Sequence, residues 1–79
     1  MVVDKTFDMS EMSELLNVPP HVLRYWETEF PALAPLLDEA GRRHYNARDV
    51  LIVRRIRELL YDEQRTIAQT KRQLGSEKF

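Results

Sequence analysis

The chain has 79 residues, 43% of them hydrophobic and 32% charged, with no cysteine and a net charge of −1. That length makes one domain with a thin core, since a chain this small buries only ~60% of its unfolded surface. It excludes disulfides, thiolate metal sites and redox chemistry, and the longest uninterrupted apolar run, Val50 to Val53, is far too short for a membrane span. Nothing resembles a signal peptide, so a cytoplasmic protein is expected. The charge is unevenly placed: residues 1–40 carry two basic and eight acidic side chains, residues 41–79 ten basic and five acidic. Six arginines (Arg42, Arg43, Arg48, Arg54, Arg55, Arg57) stand against Asp49 within 41–57. A nucleic acid feels the local field over ~8–10 Å rather than the total, so the asymmetry permits a phosphate-facing surface.

Met1 to Lys5 read as a loose lead-in, and Phe7 and Met9 alternate with polar neighbours as a brief extended segment would. Ser10 is placed as the N-cap of a short helix over Glu11–Leu16, with Met12, Leu15 and Leu16 inward and Asn17 ending it in a left-handed conformation. Pro19 and Pro20 block the first helix and suit the first turn of a second, expected over Pro20–Glu29 and closed by Pro31. Helix, short break, helix is the spacing of a helix-turn-helix.

Wound at roughly 100° per residue, the second helix sorts into two faces. Val22, Leu23, Trp26 and Phe30 fall on one side; His21, Arg24, Tyr25 and Thr28 fall on the other. The first set belongs to a core. The second is a row of donors aimed outward, as a reader of nucleic acid requires. Arg24 can pair bidentately with guanine or with phosphate, or it can form an ordinary surface salt bridge. Tyr25 can offer its hydroxyl to a phosphate, and Trp26 is read as core.

Pro31, Pro35 and Gly41 rule out a long helix in 31–45. Leu33–Leu37 and Arg42–Tyr45 read instead as two short strands around a turn, with Gly41 available for positive φ. Alternation puts Arg43 and Tyr45 on one face, Arg42 and His44 on the other. Asn46 caps a longer helix with Asp49 three residues on, and an Ile52, Ile56, Leu59, Leu60 stripe carries it to about Tyr61. Arg48, near its start, is in reach of phosphate. Arg54, Arg55 and Arg57 lie off the stripe as a solvated face. Thr66 and Gln69 form a capping box for a last helix over 67–74, with Gly75 as its stop; Arg65 just before it is a further basic candidate. The sum is a mostly α single domain over 6–75, four helices with a short β-hairpin between the second and third, and flexible ends at 1–5 and 76–79. His21 and His44 are 23 residues apart with no ligand partners nearby, so no metal site or cofactor is expected. No nucleophile–base pair, paired carboxylates or glycine-rich phosphate loop is present either, and no enzyme is expected.

The order of parts then becomes familiar. Ser10-Glu11-Met12, Val18, Leu23-Arg24-Tyr25-Trp26-Glu27, Pro35, Gly41-Arg42-Arg43-His44-Tyr45, Asp49-Val50, Ile56-Arg57 and Thr66-Ile67 together resemble the DNA-binding domain of MerR-family transcription regulators. The resemblance implies a winged helix-turn-helix, with Pro20–Glu29 as recognition helix and 34–45 as wing. It implies sequence-specific binding of double-stranded DNA in a bacterial cytoplasm, on the nucleoid. By position it carries DNA contact over to His21 and Arg24 on the helix and to Arg43 and Tyr45 on the wing. Tyr25, Arg42 and Arg48 join that set from the reading of the residues themselves. Family members dimerise through a long helix after the last one found here, and this chain stops at Phe79 before any such helix. A homodimer is therefore expected only if one follows in the native protein, and a monomer otherwise. Leu37 stands where relatives often place a basic residue. Two other readings remain: an excisionase-like architectural DNA-binder with the same module, and a helical protein-interaction adaptor using the acidic first half. The adaptor does not explain why Arg24 and Tyr25 sit opposite the core.

Overall fold

A computed structural model describes residues 5–79; four of the five positions of the loose lead-in, residues 1–4, lie outside them. The chain order is α1 (Met9–Leu16), α2 (Pro20–Glu29), β1 (Leu36–Leu37), β2 (Arg43–His44), α3 (Ala47–Arg57) and α4 (Ile67–Ser76), with a π-helical stretch, Glu58–Asp62, continuing α3. Four helices and a hairpin between α2 and α3 make a winged helix-turn-helix. No helix among the described residues is long and apolar enough to cross a membrane.

Local chemistry sets most of the boundaries. Asn46 and Thr66 each accept an amide proton three residues on, from Asp49 at 2.9 Å and Gln69 at 3.1 Å. The side chains of Asp49 and Gln69 return the bond to the cap's own N–H, completing both boxes. Asn17 ends α1 at φ 54 and ψ 48, and Gly41 turns the hairpin at φ 79. Pro20 opens α2 at its first turn, where a missing N–H costs nothing. The strands pair antiparallel, Leu36 opposite His44 and Leu37 opposite Arg43. Phe7 adds a single bridge to Tyr45, its extended backbone tying the start of the chain to the wing.

Four expectations need correction. α1 is capped by Asp8, not Ser10: Asp8 Oδ1 accepts from the Glu11 N–H at 2.8 Å and Glu11 Oε1 from the Asp8 N–H at 3.0 Å. Ser10 lacks a Glu or Gln three residues on, so the reciprocal bond belongs to Asp8. Leu15 is 55% exposed, because Met12 and Leu16 already fill the one seam that two turns of helix present. The helix after Arg57 widens to π geometry, which keeps Leu59 buried and brings Tyr61 beside Trp26, ring centroids 6.0 Å apart. Finally, α4 runs through Gly75 to Ser76. Glu77 just beyond is gripped by Arg55 of α3 at 2.8 Å and by Gln73 at 2.6 Å, which holds the last turn against the body.

The core is one cluster drawn from every helix. Met12 and Leu16 of α1, Leu23, Trp26 and Phe30 around α2, and Ile52, Val53 and Ile56 of α3 meet Leu59 and Leu74. Each large apolar side chain buried there contributes about 1.5–3 kcal/mol of transfer free energy. Leu23, Trp26 and Phe30 fix the rotation of α2 about its axis, and that rotation decides which residues face outward.

Candidate nucleic-acid interface

With its apolar face seated on α1 and the core, α2 leaves His21, Arg24, Tyr25 and Thr28 exposed along the opposite side. Thr28 Oγ1 donates to the Tyr25 carbonyl at 2.6 Å, so its hydroxyl is engaged by its own helix. His21, Arg24 and the half-open Tyr25 ring remain available. No side chain caps the start of α2; Pro20 brings no N–H there, and the Val22 and Leu23 amides donate to the Pro19 carbonyl at 3.0 and 3.1 Å.

Glu27, one turn beyond Arg24, organises the wing. Its Oε1 accepts from Arg43 Nε at 2.8 Å and its Oε2 from the Tyr45 hydroxyl at 2.7 Å. Arg43 and Tyr45 thus share a face, as strand alternation requires, and one carboxylate of α2 catches both. The carboxylate raises the Arg43 pKa further above its ordinary value. Burial, and then the bond to Glu27, push the Tyr45 phenol up as well. With both Glu27 oxygens occupied by the wing, the Arg24 guanidinium has no carboxylate partner among the described residues.

The other face of the wing is tied at its turn. Asp38 Oδ1 accepts from the Ala40 and Arg42 amides, both at 2.9 Å, and Oδ2 lies 2.9 Å from His44 Nε2. The His44 bond, then the Arg42 amide, lower the Asp38 pKa from 3.8 to about 2. The Arg42 guanidinium reaches Asp38 only at 4.0 Å and its side chain is 79% exposed, so it is free for an outside partner. Leu36 and Leu37 are both exposed, leaving the outer strand of the wing apolar.

The seven candidate residues therefore fall into four groups. His21, Arg24 and Tyr25 project from α2. Arg42 and Arg43 project from the wing, Arg43 with its Nε held and its two terminal nitrogens without a partner among the described residues. Tyr45 is fully buried and acts from below, as a strut between β2 and Glu27. Arg48 stands apart at the start of α3, exposed and leaning at 3.5 Å toward the Ala32 carbonyl. It shares a hollow with Lys5, a cation the sequence reading did not select because the lead-in carries no periodicity. A second basic hollow, with Arg65 and Arg72 at its edges, lies on α4. Only Arg65 had a signal in the sequence, its place just ahead of a helix start. The role of Glu27 was also unassigned, since nothing local in the sequence marks a contact across 18 residues. Among the described residues no cluster of three potential metal ligands occurs.

Over residues 7–76 the chain matches the family described as MerR HTH family regulatory protein. No curated protein matches it. Among solved structures it resembles HiNmlR, described as a MerR family regulator lacking the sensor domain, bound to promoter DNA. The TM-score is 0.72 at 18% identity, over 89% of this chain and 55% of that one. At that identity the likeness is one of fold, and the chain spans about half the length of the protein it resembles.

Proposed function

The chain belongs to the MerR family of helix-turn-helix regulatory proteins, and from that premise we propose that its described residues form a double-stranded DNA-binding module. In this reading α2 enters a major groove with His21 and Arg24 toward base edges and Tyr25 toward a phosphate. The wing follows the flanking backbone with Arg42 and the terminal nitrogens of Arg43, and Arg48 adds a phosphate contact at the start of α3. Tyr45 and Glu27 touch no DNA; they hold the wing at a set distance from α2. The role is regulatory rather than enzymatic, and its place of action is the bacterial nucleoid.

The observation that carries this reading is the outward Arg24, without a carboxylate partner among the described residues, on an α2 whose rotation is fixed by Leu23, Trp26 and Phe30 and whose Glu27 carboxylate already belongs to the wing. A helical adaptor using the acidic first half does not account for His21, Arg24 and Tyr25 lying together on the face opposite the core. The solved relative HiNmlR, bound to promoter DNA, supports the same use of the fold. Backbone contacts supply affinity and salt dependence, and the α2 side chains supply selectivity. Fluorescence anisotropy with a labelled mixed-sequence duplex at about 50 and about 200 mM salt tests it. Binding that weakens steeply between the two supports the assignment, and no binding at either rejects it.

A further inference from the structure

A second surface lies away from α2 and the wing. Between the C-terminal end of α1 and the outer side of α3 runs an open groove of ≈ 450 Å³. The end of α1 lines it with Leu15, Leu16 and Asn17, and α3 and its continuation line it with Val50, Arg54, Arg57 and Glu58. Leu15 is 55% exposed and the neighbouring Leu51 50%, a large share of apolar surface for a chain with so small a core. The charges do not balance. Glu58 is engaged by Arg55 Nη1 at 3.2 Å, whereas Arg54 and Arg57 are exposed and have no carboxylate partner among the described residues.

The geometry points to a docking site for an acidic amphipathic segment of a partner protein, its apolar side on Leu15 and Val50 and its carboxylates on Arg54 and Arg57. Charge complementarity selects that occupant. A sugar–phosphate backbone would meet the two arginines but leave the leucines unused. A groove between two helices takes a single segment rather than a broad lipid surface. No residue of α2 or of the wing lines the groove, so a partner seated there leaves the DNA-binding face open. The site thus suits a protein held on DNA and touched at the same time by another.

Two synthetic peptides with identically spaced leucines, one flanked by glutamates and one by lysines, separate the possibilities. They are titrated into the isotopically labelled full chain and backbone amide shifts are followed. The glutamate peptide is expected to move the amides of residues 15–17, 50 and 54–58 saturably, and the lysine peptide none. In the double variant Arg54→Glu/Arg57→Glu, with helicity and melting checked against the parent, the preference reverses and the glutamate peptide binds roughly tenfold more weakly or worse, as opposed like charges require. No saturable shift from the glutamate peptide overturns the proposal. So do shifts at these amides caused by a DNA duplex, by anionic vesicles or by protein concentration alone.

Discussion

Glu27 of α2 receives Arg43 Nε at 2.8 Å on one carboxylate oxygen while the other receives Tyr45, so helix and wing are locked by one side chain. The wing itself is only two residues deep in each strand, and a two-stranded hairpin of that size has little stability alone. Its position relative to α2 therefore depends on this carboxylate, on the buried Tyr45 ring and on the Phe7 bridge.

Replacing Glu27 by Gln removes the charge and leaves one acceptor for two donors. A buried phenol that loses its partner costs about 1–3 kcal/mol. Arg43 is a third exposed, so its share is discounted toward the small value of a surface pair. For a chain of this size each kcal/mol appears as about 4–8 °C in melting temperature. Thermal melts and duplex titrations should both show a loss. An unchanged melt and unchanged binding would remove Glu27 as the wing's anchor.

The turn of the wing should be sensitive to acid. Asp38 is held at about 2 against an ordinary 3.8, a lowered value in the folded state. Its contribution is therefore present above about pH 4 and is lost as the pH falls through about 2. Carboxyl carbon NMR should place the Asp38 midpoint near the lower figure, with the Ala40 and Arg42 amides losing protection over the same interval. A midpoint close to 4 would mean that the His44 and amide bonds are absent in solution.

Gly75 lies inside α4 with open space around the position of a Cβ. Gly75→Ala should stabilise the chain by about 0.4–1 kcal/mol, by lowering the entropy of the unfolded state and favouring the helix. Had Gly75 ended the helix in a left-handed conformation, the same change would destabilise it. Chemical denaturation distinguishes the two signs.

Thr70 is fully buried in α4 and its Oγ1 has no hydrogen-bond partner among the described residues. Thr70→Val keeps the shape and removes an unsatisfied hydroxyl, so a gain of about 1 kcal/mol is expected. A loss in the same denaturation experiment would show that the hydroxyl is bonded after all.

What could be read from the sequence is what short-range rules govern. The Asn46 cap, the Thr66–Gln69 box, the left-handed Asn17 and the positive φ of Gly41 are each fixed within four residues, the prolines bound α2, and the structure has them all; that Asp49 closes a reciprocal box with Asn46 rather than only complementing the dipole is added by the structure. The α2 wheel located the exposed His21, Arg24 and Tyr25 for the same reason. Tertiary partners were out of reach. Glu27 and Tyr45 meet across 18 residues and Arg55 and Glu77 across 22, and no periodicity encodes either pair. Leu15 reads as core because its residue type is apolar, while its exposure depends on how little of α1 the neighbouring helices can cover. The sequence favours Ser10 over Asp8 as the cap because Ser10, also a good cap, lies closer to the apolar run.

The most direct measurement is a duplex titration of the parent chain against Arg24→Ala at one fixed salt concentration, using a duplex selected by the parent from a random pool. The Arg24 side chain is exposed and has no hydrogen-bond or salt-bridge partner among the described residues, so the variant should melt like the parent. If the guanidinium reads a base, affinity falls by about 1–3 kcal/mol and the preference for the selected sequence relaxes at one position. If Arg24→Ala binds the selected duplex as tightly and as selectively as the parent, the outward face of α2 does not read DNA and the account fails.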